Sequence, residues 1–310
     1  MSRAGNRARG DRSPFHESSG DGGLFPEPSA DDFAELGAWA ARIRATDDAH
    51  YCYLNLFPNY APGETLKTDS YREYVNRFDR EVPLQLLSFD HYPVVGDTCR
   101  PEWYENLEIF SDEARKAGKP FWAFALATAH KPYPIPDLAQ LRLQVYSDLA
   151  YGAQGIQYFT YWTPEKNPTW DFHHAPVERS SGRRTDVYDK IKQMNAEIQA
   201  LSGVFLGCEV VSVRHTGESI PRGTVRLTEL PAGVKKLETT GAGAVVSELR
   251  NGDNRFVVIV NRDFKNPMTL QIELDETASR ILKDGSVVPA SLYHETMVVE
   301  PGDAMIYMLE

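Results

Sequence analysis

Residues 141–162 read LRLQVYSDLAYGAQGIQYFTYW. The first half has the helical period. Leu138, Leu141, Val145 and Leu149 share one face, and Gly152 marks the stop. The second half is an apolar, aromatic run from Gly155 that predicts a buried strand. A helix that hands the chain directly to a buried strand is the repeating step of a parallel sheet, because parallel neighbours need a crossover between them.

The same step recurs upstream. YCYLNLF from Tyr51, LQLLSF from Leu84 and FWAFALA from Phe121 are strand candidates, and the four strands start 33, 37 and 34 residues apart. That spacing is near the ~31 residues per unit of a (β/α)8 barrel. Helix signals fill the gaps. Ser29 with Asp32 forms a capping pattern ahead of Phe33, Leu36, Ala40 and Ile43. Tyr71, Tyr74, Val75 and Phe78 make one stripe, and Trp103, Leu107, Phe110 and Ala114 make another that ends at Gly118. Val187, Ile191, Met194, Ile198 and Leu201 define a last helix.

A doubly wound sheet satisfies the same alternation, but no glycine-rich phosphate loop follows any of these strands. The strand ends instead carry NLFPNY, FDHYP, ATAHKPY and YWTPEKNPTW. Aromatic faces stack on the C–H surfaces of sugars, while acids and amides bind hydroxyls, so these ends suit a carbohydrate. Ligands of parallel sheets bind at the carboxyl ends of the strands. Beyond Leu206 the pattern changes to period two. AVVSEL and RFVVIVNR flank the hairpin signal Asn251-Gly252-Asp253-Asn254, and MTLQIEL, ASLYHETMVVE and AMIYMLE continue as a small antiparallel β-sandwich.

The 310 residues carry a net charge of −11, which disfavours nucleic acid as a partner. Cys52, Cys99 and Cys208 lack the paired spacing of zinc or redox sites and read as free thiols. No metal site or cofactor follows from the sequence, no run is long enough to span a membrane, and the N-terminus lacks a signal-peptide core. Residues 1–22, rich in Arg, Gly and Ser, are expected to be a disordered tail.

The stretches EPSADDF, LSFDHYP and LRLQVYSDLAYGAQGIQYFTYW resemble the C-terminal half of bacterial TIM-barrel glycoside hydrolases of the β-galactosidase-like type. The resemblance runs from about residue 24 to the C-terminus. It implies an α/β fold: a partial (β/α)8 barrel over residues 23–205, holding strands four or five to eight, followed by an antiparallel β-sandwich over 206–310. With strands one to three missing, the implied protein is truncated. Relatives of full length are expected to be exported, and an open barrel edge invites self-association.

Such an enzyme needs two carboxyl groups. By order in the resemblance, Glu27 in FPEP matches the proton donor at the end of strand four, although Pro26 stands where Asp or Asn is expected. Its alternative is a turn before a helix. The nucleophile position after strand seven holds Thr128 and His130 rather than Glu. Asp90 is therefore the partner carboxylate, or else a structural acid capping the next loop, with Glu165 next in line. Asn55 binds sugar or satisfies a buried backbone group. His91 and Tyr92 bind hydroxyls or close the rim, and His130 is a further hydroxyl contact. Tyr161 and Trp162 stack on a pyranose or pack the barrel. Two functions follow: hydrolysis of glycosidic bonds in oligo- or polysaccharides by paired carboxyl groups, or noncatalytic carbohydrate binding by a remnant.

Overall fold

The computed structural model describes residues 27–275, 277–293 and 296–309. The tail expected over 1–22, and most of the segment expected to end strand four, lie outside them. The N-terminal half contains α1 (Phe33–Thr46), α2 (Gly63–Leu66), α3 (Tyr71–Glu81), β1 (Leu87–Asp90), a small hairpin of β2 (Val94–Val95) and β3 (Thr98–Cys99), α4 (Trp103–Ala117), β4 (Phe121–Leu126), α5 (Leu138–Ala150), β5 (Gly155–Phe159), α6 (Asp186–Ala200) and α7 (Ser202–Phe205). Strands β1, β4 and β5 form a parallel sheet in that order.

The 51–57 run does not become a ladder strand. It joins β1 through a single parallel bridge, Leu56 to Phe89, in which the Leu56 N–H donates to the Ser88 carbonyl at 2.9 Å. Tyr51 and Tyr53 are exposed. Alternating Tyr, Tyr and Asn leave this run too little apolar surface on its second face to be held as a central strand.

Local chemistry sets the helix ends. Ser70 caps α3 by accepting from the Glu73 N–H, and Asp137 with Gln140 forms a reciprocal capping box on α5. Helix α4 ends at Gly118, whose φ of 65° is left-handed. At α1 the pattern differs from the expected box, because Asp32 itself accepts from the Ser29 N–H and hydroxyl. The helices cover one face of the sheet. Leu87, Phe89, Phe121, Ala123 and Ala125 point into this core against Phe110, Leu141 and Val145, all buried.

The C-terminal half is antiparallel. It comprises β6 (Glu209–His215), β7 (Val234–Thr239), β8 (Ala244–Asn251), β9 (Asn254–Asn261), β10 (Met268–Leu274), β11 (Ser279–Ile281), β12 (Val287–Pro289), a 3-10 turn (Ala290–Tyr293), β13 (Thr296–Val299) and β14 (Ala304–Leu309). One sheet runs β12-β11-β14-β9-β8-β6 and the other β13-β10-β7. Val246, Val257, Ile259 and Tyr307 of the first share a buried apolar layer with Leu237, Leu270, Ile272 and Val299 of the second. The larger sheet uses its other face too, packing Val245, Leu249, Val258 and Ile306 into the core of the helical half.

Polar groups pin that junction. The Ser247 hydroxyl donates to the Ala150 carbonyl at 2.6 Å, and the Tyr151 hydroxyl lies 2.8 Å from His215 Nε2. Arg142 of α5 pairs with Glu197 of α6 at 2.5 Å and reaches Asp303, before β14, at 3.5 Å. No helix among the described residues is long and apolar enough to cross a membrane.

Candidate active site

The face of the parallel sheet turned away from the helices is polar. Successive strand residues alternate faces, so burial of Leu87 and Phe89 against the helices sends Ser88 and Asp90 to the opposite side. Register brings Asp90 level with Phe124 and Gln157. Asp90 is the last residue of β1, at the carboxyl end where parallel sheets hold ligands.

Glu27, just ahead of α1, meets Asp90 there. The Glu27 carboxyl acts on Asp90 both by its charge and as a hydrogen-bond partner of the protonated acid. Asn55 Nδ2 donates to Asp90 Oδ1 at 2.7 Å, and the neighbouring Tyr92 hydroxyl also favours the Asp90 carboxylate. Asp90 as a residue keeps some accessible surface, but its carboxyl is enclosed by these three partners. Burial, and next the adjacent Glu27 charge, push Asp90 from its ordinary 3.8 up to about 7, against the opposing donors Asn55 and Tyr92. Two carboxyl groups in contact cannot both ionise cheaply, so the pair holds a proton at neutral pH.

Behind Asp90 lies a hydrogen-bonded group that joins the segment around Tyr53, β1 and β5. Gln157 Nε2 donates to the Ser88 and Tyr53 hydroxyls, each at 3.1 Å. Ser88, fully buried, donates to Asn55 Oδ1 at 3.0 Å and lies 2.9 Å from the Tyr53 hydroxyl. Trp122 lies flat over Gly155, where an added Cβ would fall 2.6 Å from the indole. Tyr51 and Tyr53 each place a ring centroid 6.3 Å from that of Trp122. At the rim, Arg100 donates to the Tyr133 hydroxyl at 3.2 Å and its guanidinium sits 4.3 Å from the Tyr60 ring centroid.

The structure thus brings together four of the residues singled out in the sequence: Glu27, Asp90, Asn55 and Tyr92. It places the other four elsewhere. His91 lies just past the end of β1, 1 % exposed, packed against the Tyr60 ring at the rim and with both ring nitrogens unpartnered. Burial, and then Arg100, push its imidazole down to about 3. His130 sits within a box of Tyr133, Phe159, Trp170 and Phe172 rings. Tyr161 and Trp162 are 55 % and 48 % exposed, and Tyr161 lines a groove of about 640 Å³ with Tyr158, Tyr188 and Asn195. Glu165 is exposed and paired with Arg179 at 3.5 Å, among the residues lining a second groove. Tyr53, Ser88 and Gln157 were not singled out by the sequence. Their signal is a polar side chain at alternate positions of otherwise apolar runs.

Residues 53–201 match the family model Glyco_hydro_42, described as beta-galactosidase. No curated protein matches the chain. Among solved structures, the chain is similar to a polyextremophilic beta-galactosidase from the Antarctic haloarchaeon Halorubrum lacusprofundi, with 18% identity and a TM-score of 0.44. It is similar also to a beta-galactosidase from the psychrophilic Marinomonas ef1, with 14% identity and a TM-score of 0.43. Each similarity covers 56% of this chain and 27% of the other, so the chain spans about a quarter of either enzyme. An alpha-amylase from Geobacillus thermoleovorans is similar over 90% of this chain and 57% of its own, at 11% identity and a TM-score of 0.49. The resemblance of this chain is to the TIM-barrel glycoside hydrolases.

Proposed function

We propose that this chain carries a glycoside hydrolase-type acid site at the open end of its parallel sheet, acting on glycosidic bonds of oligo- or polysaccharides. The observation that carries the reading is the hydrogen-bonded pair Glu27–Asp90, with Asp90 pushed up to about 7. A carboxyl group that keeps its proton near neutrality is what protonation of a glycosidic oxygen requires. Asp90, the member that holds the proton, delivers it, and Glu27 is the partner carboxyl, the reverse of the order that the resemblance implies. The O–H bond breaks as the glycosidic oxygen gains the proton and its bond to the anomeric carbon opens. Water adds to that carbon, and its proton restores the pair. Asn55 and Tyr92 steady the negative charge left in between.

The architectural part of the proposal is a partial (β/α)8 barrel over 23–205 and a β-sandwich over 206–310. The three parallel strands and the bridge at Leu56 support the first, and the shared apolar layer between two antiparallel sheets supports the second. The exposed Tyr51 and Tyr53 at the sheet edge support self-association there.

A second reading, carbohydrate binding without turnover, is favoured by one feature of the same pair. Its carboxyl groups touch, whereas retaining pairs stand ~5 Å apart and inverting pairs ~6.5–9.5 Å. A panel of nitrophenyl glycosides and oligosaccharides separates the two. On the hydrolase reading sugar is released, release fails in both Glu27→Gln and Asp90→Asn, and the rate declines as pH rises above about 7 because the proton leaves Asp90. Turnover untouched by both substitutions refutes the acid pair. Oligosaccharide binding by a folded chain with no released sugar establishes the second reading.

A further inference from the structure

We propose that Ser88 is a positioning residue for the Glu27–Asp90 pair: its hydroxyl, donating to Asn55 Oδ1, fixes the Asn55 amide with its N–H toward Asp90. The inference rests on reading Glu27 and Asp90 as the acid pair. The donors run in one direction, from Gln157 Nε2 to Ser88 Oγ at 3.1 Å, from Ser88 to Asn55 Oδ1 at 3.0 Å, and from Asn55 Nδ2 to Asp90 Oδ1 at 2.7 Å. Hydrogen bonds aligned in this way polarise one another, and the last ends on the carboxylate.

An amide has two faces. With N–H toward Asp90 it stabilises the carboxylate; reversed, its oxygen opposes that charge and favours the protonated acid. Ser88 selects between them. Its hydroxyl has one proton and so has that of Tyr53, 2.9 Å away; the Gln157 N–H donates to the Ser88 oxygen at 3.1 Å, and with the Ser88 proton given to Asn55 Oδ1 the Tyr53 proton turns to Ser88. The Tyr53 hydroxyl lies farther from Asn55 Oδ1, at 3.4 Å, so the shorter Ser88 hydrogen bond is the one that holds this oxygen away from Asp90. Ser88 is fully buried, so solvent does not supply a substitute donor.

Other titratable groups act on Asp90 from every side. Glu27 precedes α1, Tyr53 and Tyr60 come from the segment before α2, Tyr71 and Tyr74 from α3, and Tyr92 follows β1. Burial first, and the Asp90 charge in part, raise all five tyrosines above their ordinary range. They are therefore neutral where Asp90 titrates, and Glu27 is the one second carboxyl among them.

The test is a carboxyl-carbon NMR titration of the full chain labelled with 13C-aspartate, the Asp90 resonance being the one lost in Asp90→Asn. Asn55→Ala raises the Asp90 midpoint, and Ser88→Ala raises it by about half a pH unit or more, because each removes support for the carboxylate. Since Ser88 acts through Asn55, the double variant titrates like Asn55→Ala alone. A midpoint unmoved in Ser88→Ala overturns the proposal, as does a double variant whose shift is the sum of the two. A merely structural role lowers stability without moving the midpoint. Should Ser88→Ala fail to fold, Ser88→Cys keeps the volume with a weak donor and reads the same quantity. The titration involves no sugar, so absence of hydrolysis would count against the acid site and leave the Ser88 assignment to be decided by NMR.

Discussion

Replacing Asp90 by Asn should stabilise the protein, and by an amount that depends on pH in a defined direction. Asp90 moves from an ordinary 3.8 to about 7 on folding, chiefly through burial and then through Glu27. The folded chain therefore binds this proton more tightly than the unfolded chain. Stability falls wherever the native state holds more protons than the unfolded one, so the contribution is full below about pH 4 and erodes as pH rises to about 7. The difference of about three pH units, at ~1.4 kcal/mol each, makes the loss about 4 kcal/mol at pH 8. Asn keeps an acceptor for Asn55 and gains a donor for Glu27, but it has no charge to desolvate. The expectation is that Asp90→Asn and the parent differ little in their pH-independent term, while the variant gains ~1.4 kcal/mol per pH unit between pH 4 and 7. Urea unfolding at half-unit pH steps measures this. A difference that is flat with pH, or that shrinks as pH rises, would refute the assignment of a raised proton affinity to Asp90.

Two further predictions concern packing. Gly155→Ala puts a methyl group 2.6 Å from the Trp122 indole, so the ring must lift from the sheet; a loss of ~1–3 kcal/mol and altered tryptophan emission are expected, and unchanged emission would contradict the flat stacking. Arg142→Met removes the partner of the buried Glu197, whose carboxyl also accepts from the Tyr146 hydroxyl at 2.6 Å. A cost of about 3 kcal/mol in chemical denaturation is expected, and a cost below about 1 kcal/mol would show the pair to be dispensable to the junction of α5, α6 and β14.

The alternation of strand and helix was legible because each helix carries its own period and its own punctuation, as at Asp137 and Gly118. The β8–β9 hairpin was legible too, since Asn251 and Asn254 face each other across the turn their sequence announces. Residues 51–57 read as a strand, yet a strand also needs backbone pairing, and the backbone of this run is bridged to β1 at Leu56 alone among the described residues. Within the site, period two placed Ser88 and Asp90 on one face and Leu87 and Phe89 on the other. Ser88 and Gln157 stayed hidden for a different reason. Their partnership depends on the register among β1, β4 and β5, and no single strand encodes that register.

The contact between Glu27 and Asp90 follows from where this chain keeps its acids. The loop after β4 begins Ala127-Thr128-Ala129-His130, and there the Thr128 hydroxyl donates to the His173 carbonyl while His130 is boxed by aromatic rings. Residues 127–130 contain no carboxyl group. The acid that Glu27 acts on is instead Asp90, on the neighbouring β1, held by Asn55. Contact makes the pair share a proton, and sharing a proton withholds one ionised carboxylate at neutral pH. On the proposed reading the pair carries one proton and one charge, so the same two adjacent groups serve as acid and as base. On the hydrolase reading, the carboxylate that receives the proton of the attacking water is therefore the one created by the donation itself, which ties turnover to the single proton that Asp90 holds.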